Sequence, residues 1–151
     1  AVGYNLGAGK FRRVRAIEKC CFSASAVVSL LSVALMFLMP ETISLLFMPD
    51  ADAEALSMTA GALRLFALTY VTRWFSFATQ SFMLAIEKPK ETSMISVSTA
   101  LIFSVILIIL LWPLGLTGIW LNFAGASLLA GILAFIILYR QRGELMKDDI
   151  S

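Results

Sequence analysis

The sequence predicts an all-α membrane protein with four transmembrane helices. Three observations lead there: an apolar composition, long stretches without charge, and basic residues confined to alternate connecting segments. Hydrophobic residues make up 60% of the 151 positions and charged residues only 15%, with a mean hydropathy of +0.88. Soluble domains are roughly 45–50% apolar and about 25% charged. A fold of this size has too small an interior to hide so much apolar surface, so lipid must cover the remainder. The net charge of +2 carries little information on its own. Histidine is absent, which removes His-based triads and most catalytic zinc sites. Cys20 and Cys21 are adjacent, so they offer neither a disulfide framework nor a CxxC metal pair.

Each helical residue adds ~1.5 Å, so a hydrocarbon core of ~30 Å takes about 20 residues. The first span, 20–39, is free of charge and closes at Pro40-Glu41. It is too long for a signal-peptide core and ends in Met-Pro-Glu rather than a small-residue cleavage site. An external loop, 40–64, follows. In it Pro49-Asp50 precedes an Ala/Glu/Leu/Met-rich stretch that predicts a helix from Ala51 to Leu63, with Asp50 as its N-cap. The second span, 65–86, is interrupted only by Arg73. From Thr92 to Tyr139 no residue is charged, and as one helix that stretch would run about 72 Å, too long for one crossing. Trp112-Pro113-Leu114-Gly115 breaks it, because proline removes a backbone donor and glycine permits a tight reversal. Spans three and four are therefore 93–111 and 118–139.

Lys and Arg set the orientation. The N-terminal segment holds Lys10, Arg12, Arg13, Arg15 and Lys19; the next loop has no Lys or Arg up to Thr59, only Glu41, Asp50, Asp52 and Glu54. Lys88 and Lys90 follow span two, and Arg140, Arg142 and Lys147 follow span four. The expectation is a multi-pass protein of the cell membrane with both ends in the cytoplasm.

The opening Gly3-Tyr4-Asn5-Leu6-Gly7-Ala8-Gly9-Lys10 is not a phosphate loop. Tyr4 stands where a Walker A motif needs glycine, and Phe11 where it needs Ser or Thr. Arg12 occupies the third glycine position of a dinucleotide fingerprint. The structural reading is a helix end that packs closely or turns before a basic segment. This opening, with Arg12-Arg13-Val14 after it, resembles the stretch that follows the second helix of each half in multidrug and toxic compound extrusion (MATE) transporters. Other matches occur in order: Leu63-Arg64, Ser81-Phe82, Ala85-Ile86, Lys88-Pro89-Lys90 and Gly115-Leu116-Thr117-Gly118-Ile119-Trp120. Gly3, Asn5, Gly7, Ala8 and Arg13 carry the motif.

That resemblance implies the C-terminal portion, the last four helices, of a two-lobed twelve-helix transporter, and a chain opening on Ala1 is expected to be a piece of a longer protein. The implied activity is cation-coupled multidrug efflux by alternating access. Organic cationic or amphipathic small molecules would be substrates, with the bilayer and the remaining helices of the same transporter as partners; nucleic acid and cofactors are not expected. The sequence departs from the family pattern at Leu84 and Glu87, where Gln and Gly are usual. It also departs at Thr99, where Arg is common, and at Ser104-Val105, where a proline is absent.

Arg73 is the foremost candidate site residue. A charge at mid-membrane costs about 2.5–3.5 kcal/mol on insertion scales, and such residues face a bundle interior or a watery cavity. It either contacts substrate or serves structurally, bonded to carbonyls or to an acid elsewhere. Gln80 lies two turns along the same face, and Tyr70 completes the substrate-binding candidates, with Ser76, Ser81 or Thr69 nearby. No Asp or Glu lies within a span, so the coupling ion, H⁺ or Na⁺, is expected to bind outside this segment. Gly118, Asn122, Ala126, Ala130 and Ala134 recur every four residues and predict a helix-packing face. No acid, histidine or nucleophile–base pair in the spans supports enzymatic chemistry. Two other readings stay open: a stand-alone four-helix structural or interaction subunit, and a related lipid-linked-sugar flippase.

Overall fold

Helices form wherever the sequence is apolar and free of breakers, and each break has a local cause. The computed structural model describes residues 1–148, with side chains described up to Gly143. Seven α-helices follow one another: α1 (Val2–Gly7), α2 (Phe11–Leu38), α3 (Pro40–Phe47), α4 (Ala53–Ala85), α5 (Pro89–Val97), α6 (Ser104–Leu111) and α7 (Gly115–Asp148). A π-helical segment, Ser98–Phe103, joins α5 to α6, and a 3₁₀ turn, Trp112–Leu114, separates α6 from α7. No strand occurs among the described residues.

The glycine-rich opening is helix α1 and its cap. Gly9 sits at φ +66°; its amide donates to the Leu6 carbonyl at 2.9 Å and that of Lys10 to Asn5 at 2.8 Å. This is a Schellman cap, in which a left-handed residue satisfies the last helical carbonyls. The same cap ends α4: Glu87 has φ +60°, and the Glu87 and Lys88 amides reach the Leu84 and Met83 carbonyls at 3.2 and 2.9 Å.

Proline sets the next boundaries. Pro40 forces Met39 out of helical geometry, ends α2 and starts α3, where its missing donor costs nothing. The loop predicted over 40–64 is thus largely helical. Asp52, rather than Asp50, caps α4: its carboxylate accepts from the Ala55 amide at 2.8 Å, so the helix starts at Ala53 and runs on into the second predicted span. Pro49 and Asp50 lie in the turn before it, where the Ala51 amide reaches the Met48 carbonyl at 3.2 Å.

Three helical stretches are long and apolar enough to cross a membrane: Phe11–Leu38, Ala53–Ala85 and Pro89–Gly143. The third contains predicted spans 93–111 and 118–139 and doubles back on itself. Gly115 takes φ +57° and ψ −132°, a conformation essentially closed to other residues. A Cβ at Gly118 would overlap the Leu111 carbonyl oxygen, and one at Gly125 would lie 3.0 Å from a Leu107 methyl.

Helix α4 is the hub, packing most extensively on α7 and next on α2. Small residues fill the α4–α7 seam: Thr69, Ser76 and Thr79 on the face of α4 where Thr72 meets Gly131, and Asn122, Ala126, Ala130 and Ala134 on α7, these seven all buried. Large apolar side chains such as Leu31, Ile109 and Phe135 are exposed instead. A membrane protein is built in this way, since lipid solvates large apolar groups and close helix approach needs small ones. Among the described residues, a cluster of large buried side chains joins Val14, Phe82, Met83, Ile86, Ile95 and Leu138, where the basic ends of α2, α4, α5 and α7 meet. There Arg142 donates from Nε to Glu18 at 3.0 Å and from Nη2 to the same oxygen. Glu18 is buried, so this pair ties α2 to α7 across the end of α4.

Candidate functional site

Arg73 lies in the middle of α4, about 18 Å along the axis from Ala85 at a rise of ~1.5 Å per residue. Phe77, one turn on, lies on the same face, and the guanidinium carbon sits 5.1 Å from its ring centroid. This cation–π contact compensates part of the lost hydration of the charge. Arg73 and Phe77 together form a ridge with a hollow on either side.

The larger hollow, about 830 Å³, opens between α2 and α4 and is lined by Ser25, Ser29, Phe66, Tyr70, Arg73 and Trp74. Its walls are aromatic because these residues fall at helical spacing along one face of α4. Phe66 packs edge-to-face on Tyr70 and on Phe123, each with centroids 5.8 Å apart. The Ser29 hydroxyl donates to the Tyr70 carbonyl at 2.7 Å and pins α2 to α4 beside the hollow. The Trp74 indole N–H donates to the Val71 carbonyl at 2.9 Å.

The smaller cleft, about 290 Å³, lies between α4, the π-helical segment and α7. Arg73, Ser76 and Gln80 enter from α4, Ser96 from α5, Thr99 from the π segment, Ser104 from α6 and Ser127 from α7. The Thr99 hydroxyl donates to the Ile95 carbonyl at 2.6 Å and that of Ser104 to the Thr99 carbonyl at 2.9 Å. Such back-bonding lets the helix widen into π geometry at that point. Ser76 and Ser127 are buried, and neither hydroxyl oxygen has a hydrogen-bond partner among the described residues.

The structure therefore divides the three candidates. Tyr70 shares the larger hollow with Arg73, and Gln80 shares the smaller cleft with it. Of the neighbours, Ser76 joins the cleft; Thr69 is fully buried and Ser81 lines neither hollow. No acidic residue lines either one. Gly3, Asn5, Gly7, Ala8 and Arg13 line neither. Gly3 lets α1 lie against the end of α4, where a Cβ would come 3.2 Å from the Ala85 carbonyl oxygen. The Asn5 amide nitrogen donates to the Ala1 carbonyl at 2.9 Å. Among the described residues, no group of three or more Asp, Glu, Cys or His side chains is placed to hold a metal.

The hydroxyls of the cleft were missed by sequence reasoning, except Ser76. Thr99 and Ser104 stood out only as departures from a family pattern, although hydroxyl residues flanking a helix midpoint are the available signal. Glu18, a lone acid in a basic run, was missed as a buried anchor. In comparison with known proteins, the profile of the MatE family matches residues 1–112, most of the chain up to the 3₁₀ turn. No curated protein and no solved structure matches.

Proposed function

The chain belongs to the MatE family of membrane transporters, and from that premise we propose that it forms part of a multidrug efflux antiporter working by alternating access. In this reading it supplies the last four helices of the second of two six-helix lobes. The reversal at Trp112–Gly115 turns the third apolar stretch into two crossings, making four in all. Both ends lie in the cytoplasm, where the positive-inside rule places Arg12, Arg13, Lys88 and Arg140.

The observation that carries the reading is the aromatic hollow beside Arg73. It is an open half-cavity in a transporter-family chain, walled by Phe66, Tyr70 and Trp74. Such a wall suits amphipathic organic molecules, because flat rings bury their apolar parts without demanding one shape. Organic cations gain a further contact with the ring faces. Arg73 opposes a cation placed directly against it, so the charge of a cationic substrate is balanced from the facing lobe. Coupling to H⁺ or Na⁺ belongs there too, since a coupling site needs a carboxylate and neither hollow here has one.

The test is efflux of a fluorescent cationic dye, together with toxicant susceptibility, in cells with and without the complete gene. Expression is expected to lower dye retention, and Tyr70→Ala to return a large part of it. Unchanged retention and susceptibility on expression would sink the reading.

A further inference from the structure

We propose that the cleft between α4, the π-helical segment and α7 is a binding site for a small anionic group, of the size and chemistry of an organic carboxylate. This inference stands apart from drug transport through the larger hollow, because it concerns binding on the other side of the Arg73 ridge.

Three observations carry it. Ser76 and Ser127 are 4% and 2% exposed, line the cleft from opposite helices, and have hydroxyl oxygens without a partner among the described residues. An unpaired buried polar group costs about 1–3 kcal/mol. The side-chain oxygens of Thr69, Thr72, Thr79 and Asn122 are also unpartnered among the described residues, but of these groups only Ser76 and Ser127 open onto the cleft, where a ligand can satisfy both. The second observation is the sign of the charge. Arg73 is the one ionisable side chain lining the cleft, with no acid to offset it. A cation placed there meets a like charge at reduced dielectric, whereas an anion gains both attraction and charge-assisted hydrogen bonds. The third is the direction of the donors. Thr99 and Ser104 direct their hydroxyl hydrogens to carbonyls of their own helix. The donors left for a ligand are therefore Arg73, Ser76 and the Gln80 amide on α4, Ser127 facing them from α7, and the exposed Ser96 hydroxyl at the α5 edge. Two walls of donors suit an acceptor-only group such as a carboxylate, with its two oxygens.

Size separates the two sources of such an anion. A volume of about 290 Å³ exceeds what one halide ion fills and matches the lower range of small-molecule pockets. The organic anion is therefore assigned, and chloride is the competitor to test.

The experiment is equilibrium dialysis of radiolabelled benzoate against the purified transporter in phosphatidylcholine nanodiscs. Saturable binding is expected that an excess of chloride displaces weakly and benzylammonium not at all. Arg73→Gln is expected to weaken binding about tenfold or more, as loss of a charge-assisted bond implies. Arg73→Lys, which keeps the charge but not the fork, falls in between. The double variant Ser76→Ala/Ser127→Ala removes two donors, leaves the charge and the larger hollow unchanged, and weakens binding severalfold. Absence of saturable benzoate binding, equal affinity in Arg73→Gln, or competition by benzylammonium overturns the proposal. Displacement by chloride at equal concentration reassigns the site to an inorganic anion and overturns the organic assignment. Dye efflux through the larger hollow is a separate readout, so its loss or survival does not decide this one.

Discussion

Helix α4 packs on both α7 and α2, but only the α2 side opens into a large hollow. On the α7 side its buried residues are Thr69, Ser76 and Thr79, and the partner face repeats Asn122, Ala126, Ala130 and Ala134. On the α2 side Phe66, Tyr70 and Trp74 line about 830 Å³ of open volume. In lipid, apolar bulk gains nothing by going inside, so tight contact is made by small residues and space is made by large ones. The side chains of one helix thus divide the bundle into a rigid seam and a hollow.

That division is broken most sharply by enlarging the seam. Ala134 is wholly buried, and Ala134→Phe forces α7 off its partners at a cost of about 3 kcal/mol, the upper end of overpacking penalties. Ser25→Leu, facing the hollow, should change stability by less than about 0.5 kcal/mol, as substitutions away from packed contacts do. Denaturant titration in mixed micelles reads both, and equal losses would erase the distinction between seam and hollow. Next in size is Gly115→Ala at the reversal that brings α6 back along α7. With φ at +57° and ψ at −132°, the added methyl costs about 2 kcal/mol. It should also loosen the contact of Leu107 with Gly125, detectable as faster cysteine cross-linking loss between those two helices than between α2 and α4.

Much of this arrangement is legible in the residues. Charge-free stretches mark the helices, Pro40 and Pro113-Leu114-Gly115 mark their breaks, and the four-residue repeat of small side chains marks the seam on α7. What is not legible has local or long-range causes. Asp50 and Asp52 both precede an Ala/Glu/Leu stretch, and only the turn after Pro49 decides that Asp52 reaches the Ala55 amide. The π segment differs from an α-helix by a small shift in hydrogen-bond register, which hydroxyl residues permit without announcing. Glu18 reads as one charge in a basic run because its partner, Arg142, is 124 residues away. For the same reason the sequence puts Arg73 and Gln80 on one face and names Tyr70 beside them but cannot divide the three between two hollows. That division depends on where α2 and α7 dock.

The Glu18–Arg142 pair bears on the looser side. It joins α2 to α7 at the basic end, beyond the hollow that opens between α2 and α4. Arg142→Gln leaves a buried carboxylate without its cation, which in a fully buried pair costs about 3–5 kcal/mol. Arg142 is 50% exposed, so water and counterions recover much of that, and about 1.5 kcal/mol is expected. The loss should fall on α2. Hydrogen exchange of α2 amides should rise near Glu18 while the Thr69–Thr79 stretch of α4 stays protected. Uniform exchange across all helices would count against a separable α2.

The smallest expected effect is a gain, and it acts on α4 itself. Two Schellman caps at the basic end share one geometry, with Gly9 at φ +66° in one and Glu87 at φ +60° in the other. A side chain in the left-handed region costs on the order of 1 kcal/mol relative to glycine. The cap at Glu87 is made in spite of that cost, because the Lys88 amide reaches the Met83 carbonyl and Pro89 at once begins α5. Glu87→Gly should therefore stabilise the chain by about 1 kcal/mol, read as a raised denaturation midpoint. Gly9→Ala should destabilise by a similar amount, although no atom lies near enough to clash with the added methyl. Glu87 is exposed and lines neither hollow, so a gain is expected with dye efflux and benzoate affinity unchanged. A loss on Glu87→Gly would mean that the carboxylate holds the turn by contacts stronger than the strain it carries.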